Sequence, residues 1–156
     1  MNESEKLDAT DDATSLVASG WVVARNAGAG FATELLGGHH TLVADEPVSV
    51  GGDDRGPTPY DLLLLSIGAC TAMTLRMYAK RKAWPLDEAL VALRTARSHA
   101  ADCEECVARP AGLGPLRLER RVELRGPLTD EQRERLLSIA DRCPVKLALQ
   151  RGIELA

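Results

Sequence analysis

The residues of this 156-residue chain best suited to chemistry are its cysteines, four in number. Cys70 lies in SIGACTAMT, inside a long apolar stretch, with Gly68 and Ala69 immediately before it. Those small neighbours thin the surface and allow close approach by another backbone or a small substrate. Cys143 lies in ADRCPVKL, where the following proline lacks the amide hydrogen needed to continue a helix. The thiol therefore falls at a break between two helical pieces. A second piece beginning at Pro144 would aim its unpaired N–H groups at the sulfur and favour a thiolate. Arg142 beside it and Lys146 one turn on would act in the same sense. The plain alternatives are a small buried hydrophobe at Cys70 and an inert helix cap at Cys143.

Two such thiols can run a peroxidase cycle. One thiolate attacks a peroxide oxygen and becomes a sulfenic acid; the second condenses with it to a disulfide, and an outside dithiol restores both. Their Cα atoms must then approach within about 7 Å. His99, Cys103 and Cys106 form H-x-x-x-C-x-x-C in a charged loop. Zinc, a redox dithiol and a solvated loop with free thiols all fit that spacing, and a closed zinc site needs a fourth ligand, which His39 or His40 would supply only by folding. His39 and His40 near Asp45 and Glu46 suggest no particular triad. The GGDDRG segment has neither P-loop nor dinucleotide-binding spacing, and its aspartates repel phosphate.

The elements that must position the thiols follow from pattern. Residues 1–14 are polar and acidic and read as a disordered tail, ahead of a single domain over 15–156. Strands are expected at about 16–25, 31–36 and 40–44, with turns at Asn26–Gly30 and Gly37–Gly38. Thr58 followed by Pro59 marks a helix start, and Asp61 falls in the first turn, where a carboxylate suits the dipole. The helix at about 59–82 carries Cys70. Its first half is apolar nearly all round, which marks a core helix, and at about 1.5 Å per residue it is over 30 Å long. A second copy of the chain is the simplest cover for so long an apolar rod. A strand at 89–98 follows, then the loop bearing Cys103 and Cys106. LRLERRVELRG alternates with period two, as a half-exposed strand does. Thr129 and Gln132 form a capping box ahead of an amphipathic helix. Beyond Cys143–Pro144 come a short helix or turn and a last strand. Strands around two helices make the class α+β.

Composition narrows the function. The formal net charge is -4, with 45% hydrophobic and 3% aromatic residues. A mildly acidic chain argues against nucleic-acid partners, and so few aromatic rings argue against base stacking. A chain of this size buries roughly two thirds of its unfolded surface, so no staples are required. No apolar run is expected to reach membrane-span length, and MNESEKLDATDDATS does not read as a secretory signal. The expected compartment is the cytoplasm, with no membrane partner.

HHTLVADEPVSVGGDDRGPTPYDLLLLSIGACTAMTLRMYAKRKAWPL and EQRERLLSIADRCPV, in that order and separation, resemble the OsmC/Ohr family, and within it the OsmC-like redox proteins. The resemblance covers roughly residues 20–156. It implies an intertwined homodimer in which long central helices are flanked by antiparallel sheets. It implies that Cys70 attacks the peroxide and Cys143 resolves the sulfenic acid. The substrate would be an organic hydroperoxide, the reductant a dithiol of dihydrolipoyl or thioredoxin type, and the setting oxidative-stress defence, with no metal or organic cofactor. An arginine of the N-terminal meander stabilises the thiolate in such enzymes; Arg25 matches it best, with Arg55 next. The glutamate that holds that arginine falls on Tyr60, and neighbouring Asp61 is the acid that would substitute. Lys146 stands where the CPVH pattern of the resembled family would place a histidine. Two other classes fit the residues: a non-enzymatic dimeric binding or stress protein with structural thiols, and a zinc-stabilised module using His99, Cys103 and Cys106.

Overall fold

The computed structural model describes residues 12–95 and 117–154. Backbone contacts divide the chain into two units, one running to Leu62 and including Glu154, the other spanning Leu63–Ile153.

In the first unit, α1 (Ala13–Ala18) precedes an antiparallel meander of β1 (Val23–Asn26), β2 (Thr33–Gly37) and β3 (His40–Ala44), in that spatial order. The strand expected from residue 16 therefore begins only at Val23. Asp12 accepts the Ser15 amide at 2.7 Å and caps a helical turn instead, so a local side-chain cap overrides the apolar run that follows it. The second and third strands match the expected spans. At the end of β3 the chain turns into a loop organised by Asp45, which is almost fully buried. Its carboxylate accepts the amides of Glu46, Asp53 and Arg55 at 2.8, 3.3 and 3.2 Å. Burial alone would push this carboxyl up; the three amides, with the Arg55 charge, outweigh it and hold the group below 3.8. Gly56 lies so close to the Val43 carbonyl that a Cβ there would sit 2.0 Å from its oxygen.

This loop delivers α2 (Pro59–Arg81). Thr58 and Asp61 close a reciprocal cap: the Asp61 amide donates to the Thr58 hydroxyl at 3.1 Å, and the Asp61 carboxylate accepts the Thr58 amide at 3.1 Å and its hydroxyl at 2.7 Å. The helix ends with Ala83 in the left-handed region (φ +52°) and the Trp84 amide bonded back to the Ala79 carbonyl at 2.9 Å.

In the second unit α2 packs with β4 (Glu88–Thr95), β5 (Leu118–Arg125), α3 (Asp130–Ala140) and α4 (Pro144–Arg151). The strands pair antiparallel, with Val91 opposite Val122 and Leu93 opposite Arg120. Leu75 and Ala79 of α2 join Leu86, Leu124, Leu128, Leu136, Ile139 and Ala140 in one apolar core. Ile67, Thr71, Leu75 and Ala79 recur every four residues and form the buried face of α2. A Cβ on Gly68 would lie 3.2 Å from Leu93, so glycine lets the helix lie close to β4.

Two further expectations are corrected. Gly152 (φ +93°) ends α4, and no strand forms over 152–154. By length and composition alone, α2 is long and apolar enough to cross a membrane, with mean hydropathy 1.5; the expectation that no run reaches span length does not hold. Its exposed Leu65, Met73 and Met77 recur on one stripe opposite the core face. The α+β class with antiparallel sheets stands, and among the described residues the order is α-β-β-β-α-β-β-α-α.

Candidate functional site

The second unit brings Cys70 and Cys143 together. Cys70 sits in mid-α2 and is partly exposed; Cys143 is the residue before α4 and is fully buried, and both are free thiols. Each thiol lies near enough to the other to shift its titration. The Cys143 S–H also points at the Ile67 carbonyl, 3.8 Å away, and the Thr71 hydroxyl donates to that same oxygen at 2.8 Å.

These surroundings treat the two sulfurs differently. Burial pushes the Cys70 thiol above its ordinary 9.0, and the neighbouring Cys143 pushes it further, against smaller help from the Val145 amide and the Thr74 hydroxyl. At Cys143 burial also acts upward. It is outweighed by the Lys146 amide, the Thr71 hydroxyl, the Cys70 thiol and the Val145 amide, which bring the group below 9.0. Pro144 at the first position of α4 explains the amide contribution, because the N–H groups that follow it have no helical acceptor. The neutral thiol makes no close capping hydrogen bond; the amides favour the charged sulfur. The pair loses its first proton as a unit, and the charge rests best at Cys143. Thr71 has a single hydroxyl proton. Turning it from the Ile67 carbonyl to the sulfur would satisfy the thiolate at the moment Cys143 stops donating.

The other residues singled out in the sequence occupy varied places. Arg25 of β1 is held by Glu34 of β2, Nη2 to Oε2 at 2.5 Å, on an exposed strand pair. Asp61 is engaged in the α2 cap. Both belong to the first unit. Lys146 reaches the Cys143 sulfur through its amide, while its ammonium turns to Asp141 at 2.9 Å. Arg55 donates its amide to Asp45. Tyr60 opens α2, and His39 and His40 are exposed at the β2–β3 turn. His99, Cys103 and Cys106 lie outside the described residues; among the described residues no group of three or more His, Cys, Asp or Glu side chains is placed to hold a metal.

Two residues at this site escaped the sequence reading. Thr71 carried the signal of its spacing, four residues from the apolar Ile67 and Leu75. Arg120 occupies an inward position of β5, between Leu118 and Val122 in the alternation, and its guanidinium donates to the Ala140 carbonyl and to Asp141, both at 2.8 Å.

An α+β scaffold whose central helix holds one thiol against another at a helix break defines a dithiol protein. The family model described as "OsmC-like protein" matches residues 51–156, and the chain belongs to that family. Solved structures share the fold at low identity. An OsmC-like protein from Mycoplasma pneumoniae is 20% identical with a TM-score of 0.60, covering 76% of this chain and 79% of that one. An organic hydroperoxide resistance protein from Legionella pneumophila is 20% identical with a TM-score of 0.59, covering 83% and 89%. A Vibrio cholerae structure, described as a candidate organic hydroperoxide resistance protein with captopril in one of its active sites, is 22% identical with a TM-score of 0.57, covering 86% and 87%. No curated protein sequence gives a match.

Proposed function

We propose that this protein is a thiol-dependent organic hydroperoxide reductase of oxidative-stress defence. The observation that carries the reading is the contact between an accessible thiol, Cys70, and an enclosed one, Cys143, that is set up to hold negative charge. Cys143 takes the proton of neighbouring Cys70, in the manner of a base activating a nucleophile. The Cys70 thiolate attacks the terminal oxygen of the hydroperoxide. An S–O bond forms, the O–O bond breaks, and the alkoxide leaves and is protonated by solvent. Cys143 then attacks the sulfenic sulfur, and its proton departs with the hydroxyl as water. An external dithiol of dihydrolipoyl or thioredoxin type reduces the disulfide and returns both thiols.

Arg25 enters this reading from the family resemblance as the cation that stabilises the attacking thiolate, with Asp61 as its support. The pairing of Arg25 with Glu34 is consistent with a guanidinium held in one orientation. A cytoplasmic homodimer completes the picture, its second copy covering the apolar stripe Leu65, Met73 and Met77. The apolar character of α2 favours organic hydroperoxides over hydrogen peroxide.

Stopped-flow consumption of cumene hydroperoxide, set against hydrogen peroxide and with lipoyl and thioredoxin reductants compared, tests the proposal. Wild type turns over the organic peroxide faster, and Cys70→Ser abolishes the reaction; full activity in that variant refutes the assignment. A second reading, a dimeric binding protein with structural thiols, draws on the enclosure of Cys143 and the upward push on Cys70. Under it, Cys70 alkylates more slowly than a free cysteine at every pH, and no peroxide is consumed.

A further inference from the structure

The charge at Cys143 depends in part on the Val145 and Lys146 amides in the first turn of α4, and little in α4 itself secures that turn. No residue of α4 is fully buried. The preceding helix is different: Leu136, Ile139 and Ala140 anchor α3 in the apolar core. The joint formed by Asp141, Arg142 and Cys143 must therefore carry position from an anchored helix to one that its own packing holds weakly.

One carboxylate oxygen spans that joint. Asp141 stands at the end of α3, and its Oδ1 accepts the Lys146 ammonium from the first turn of α4 at 2.9 Å. The same oxygen accepts Arg120 Nη2 at 2.8 Å, while Arg120 Nη1 donates to the Ala140 carbonyl at 2.8 Å. Arg120 stands on the inward row of β5, between Leu118 and Val122, with 22% of its side chain exposed. A half-buried guanidinium among apolar neighbours costs free energy unless it is paired, so the bonds it makes fix its direction. Asp141 is thus tied at once to a strand of the sheet and to the helix whose amides act on Cys143. Lys146 serves both ends of the arrangement, its ammonium on Asp141 and its amide on the sulfur.

We propose that Asp141 is a positioning residue for Cys143: by joining Arg120 of β5 to Lys146 of α4 through one oxygen, it locks the break between α3 and α4 and keeps the α4 amides on the sulfur. The benefit to resolving a sulfenic acid rests on the hydroperoxide reductase reading; the hold on the sulfur does not. Charge alone makes the opposite demand. A carboxylate near a thiol disfavours the thiolate, so an Asp141 acting by charge would hinder ionisation, and its removal would free two cations and promote it. An Asp141 acting by position would, on removal, loosen the amides and suppress ionisation.

NMR titration of the cysteine β-carbons in the whole protein follows Cys143 apart from the other thiols and needs no peroxide. The Asp141 side chain is 61% exposed, so its replacement leaves the core intact. In Asp141→Ala the thiolate fraction of Cys143, read at one pH below its midpoint, falls about threefold or more, the effect of a weakened helix cap. Asp141→Glu, which keeps a carboxylate within reach of both cations, restores it. An unchanged fraction or a rise in Asp141→Ala, or an equal fall in Asp141→Glu, overturns the proposal. A fall in Asp141→Ala and recovery in Asp141→Glu, in a protein that consumes no hydroperoxide, support the positioning role while sinking the enzymatic reading.

Discussion

Cys70 and Cys143 lie close enough to shift each other's titration although one lies in mid-helix and the other at the break between two short helices. The relationship is unequal. Two amides of α4 and the hydroxyl of Thr71 favour charge on Cys143, whereas burial disfavours it on Cys70. Charge is therefore stored on the enclosed sulfur, and reactivity is available at the accessible one.

Removing the enclosed sulfur should strand the oxidised intermediate. Cys143→Ser, treated with one equivalent of an organic hydroperoxide, is expected to carry a sulfenic acid on Cys70 that dimedone traps and mass spectrometry locates. Finding no oxidised Cys70 would remove Cys143 from the resolving role.

Thr71 can be tested nearly isosterically. Thr71→Val deletes a donor to the Cys143 thiolate, so the ultraviolet thiolate titration and the pH profile of peroxide consumption should both move to higher pH. Stability follows with a definite sign. Cys143 titrates below 9.0 in the fold, so its contribution is full above 9.0 and is lost as pH falls through the lowered value. Cys70, held above 9.0, contributes in the opposite sense: its share is present below 9.0 and lost as pH rises through the raised value. In urea melts, the part of the wild-type advantage over Thr71→Val that depends on pH should therefore grow as pH rises towards 9.0. A difference that shrinks over that range would contradict the hydroxyl's role.

The exposed stripe on α2 makes a prediction about assembly. Met73 is 64% exposed in the single chain, and a charge there should be harmless to a monomer and costly at a helix-mediated interface. Met73→Glu is expected to sediment as a monomer under conditions where wild type sediments as a dimer. A wild-type monomer at micromolar concentration would end the dimer proposal.

Ala83 holds a left-handed conformation at the end of α2 with no glycine to relieve it. The left-handed region costs a residue with a Cβ roughly 1–2 kcal/mol, and glycine returns part of that gain through its freer unfolded chain. Ala83→Gly should raise unfolding stability by about 0.5–1 kcal/mol in urea melts; a loss of stability would show that Ala83 makes a contact of greater worth.

Much of this architecture was legible from the residues. Thr58, Pro59 and Asp61 announced the start of α2, Thr129 and Gln132 that of α3, and Pro144 the break that exposes amides to Cys143. Each is a local rule with one dominant cause. The failures share a different cause. Val17, Trp21 and Val22 read as strand because their pattern is apolar, yet Asp12 captures the preceding turn first. Arg120 was invisible because an alternation of apolar and charged residues hides a charge that falls on the apolar beat. Only the pairing of β5 with β4 shows which row it joins. The approach of Cys70 to Cys143 depends on α4 folding back on α2, a long-range packing event that no local pattern encodes.

The complete enclosure of Cys143 also decides how electrons can enter. Once the two sulfurs are bonded, an incoming thiol has just one of them within reach, and must form its mixed disulfide at Cys70. Cys143 is then the group expelled, and a sulfur already comfortable with charge departs quickly. The wall that shields this atom would thus impose directionality on recharging and leave the second electron donor to attack from outside.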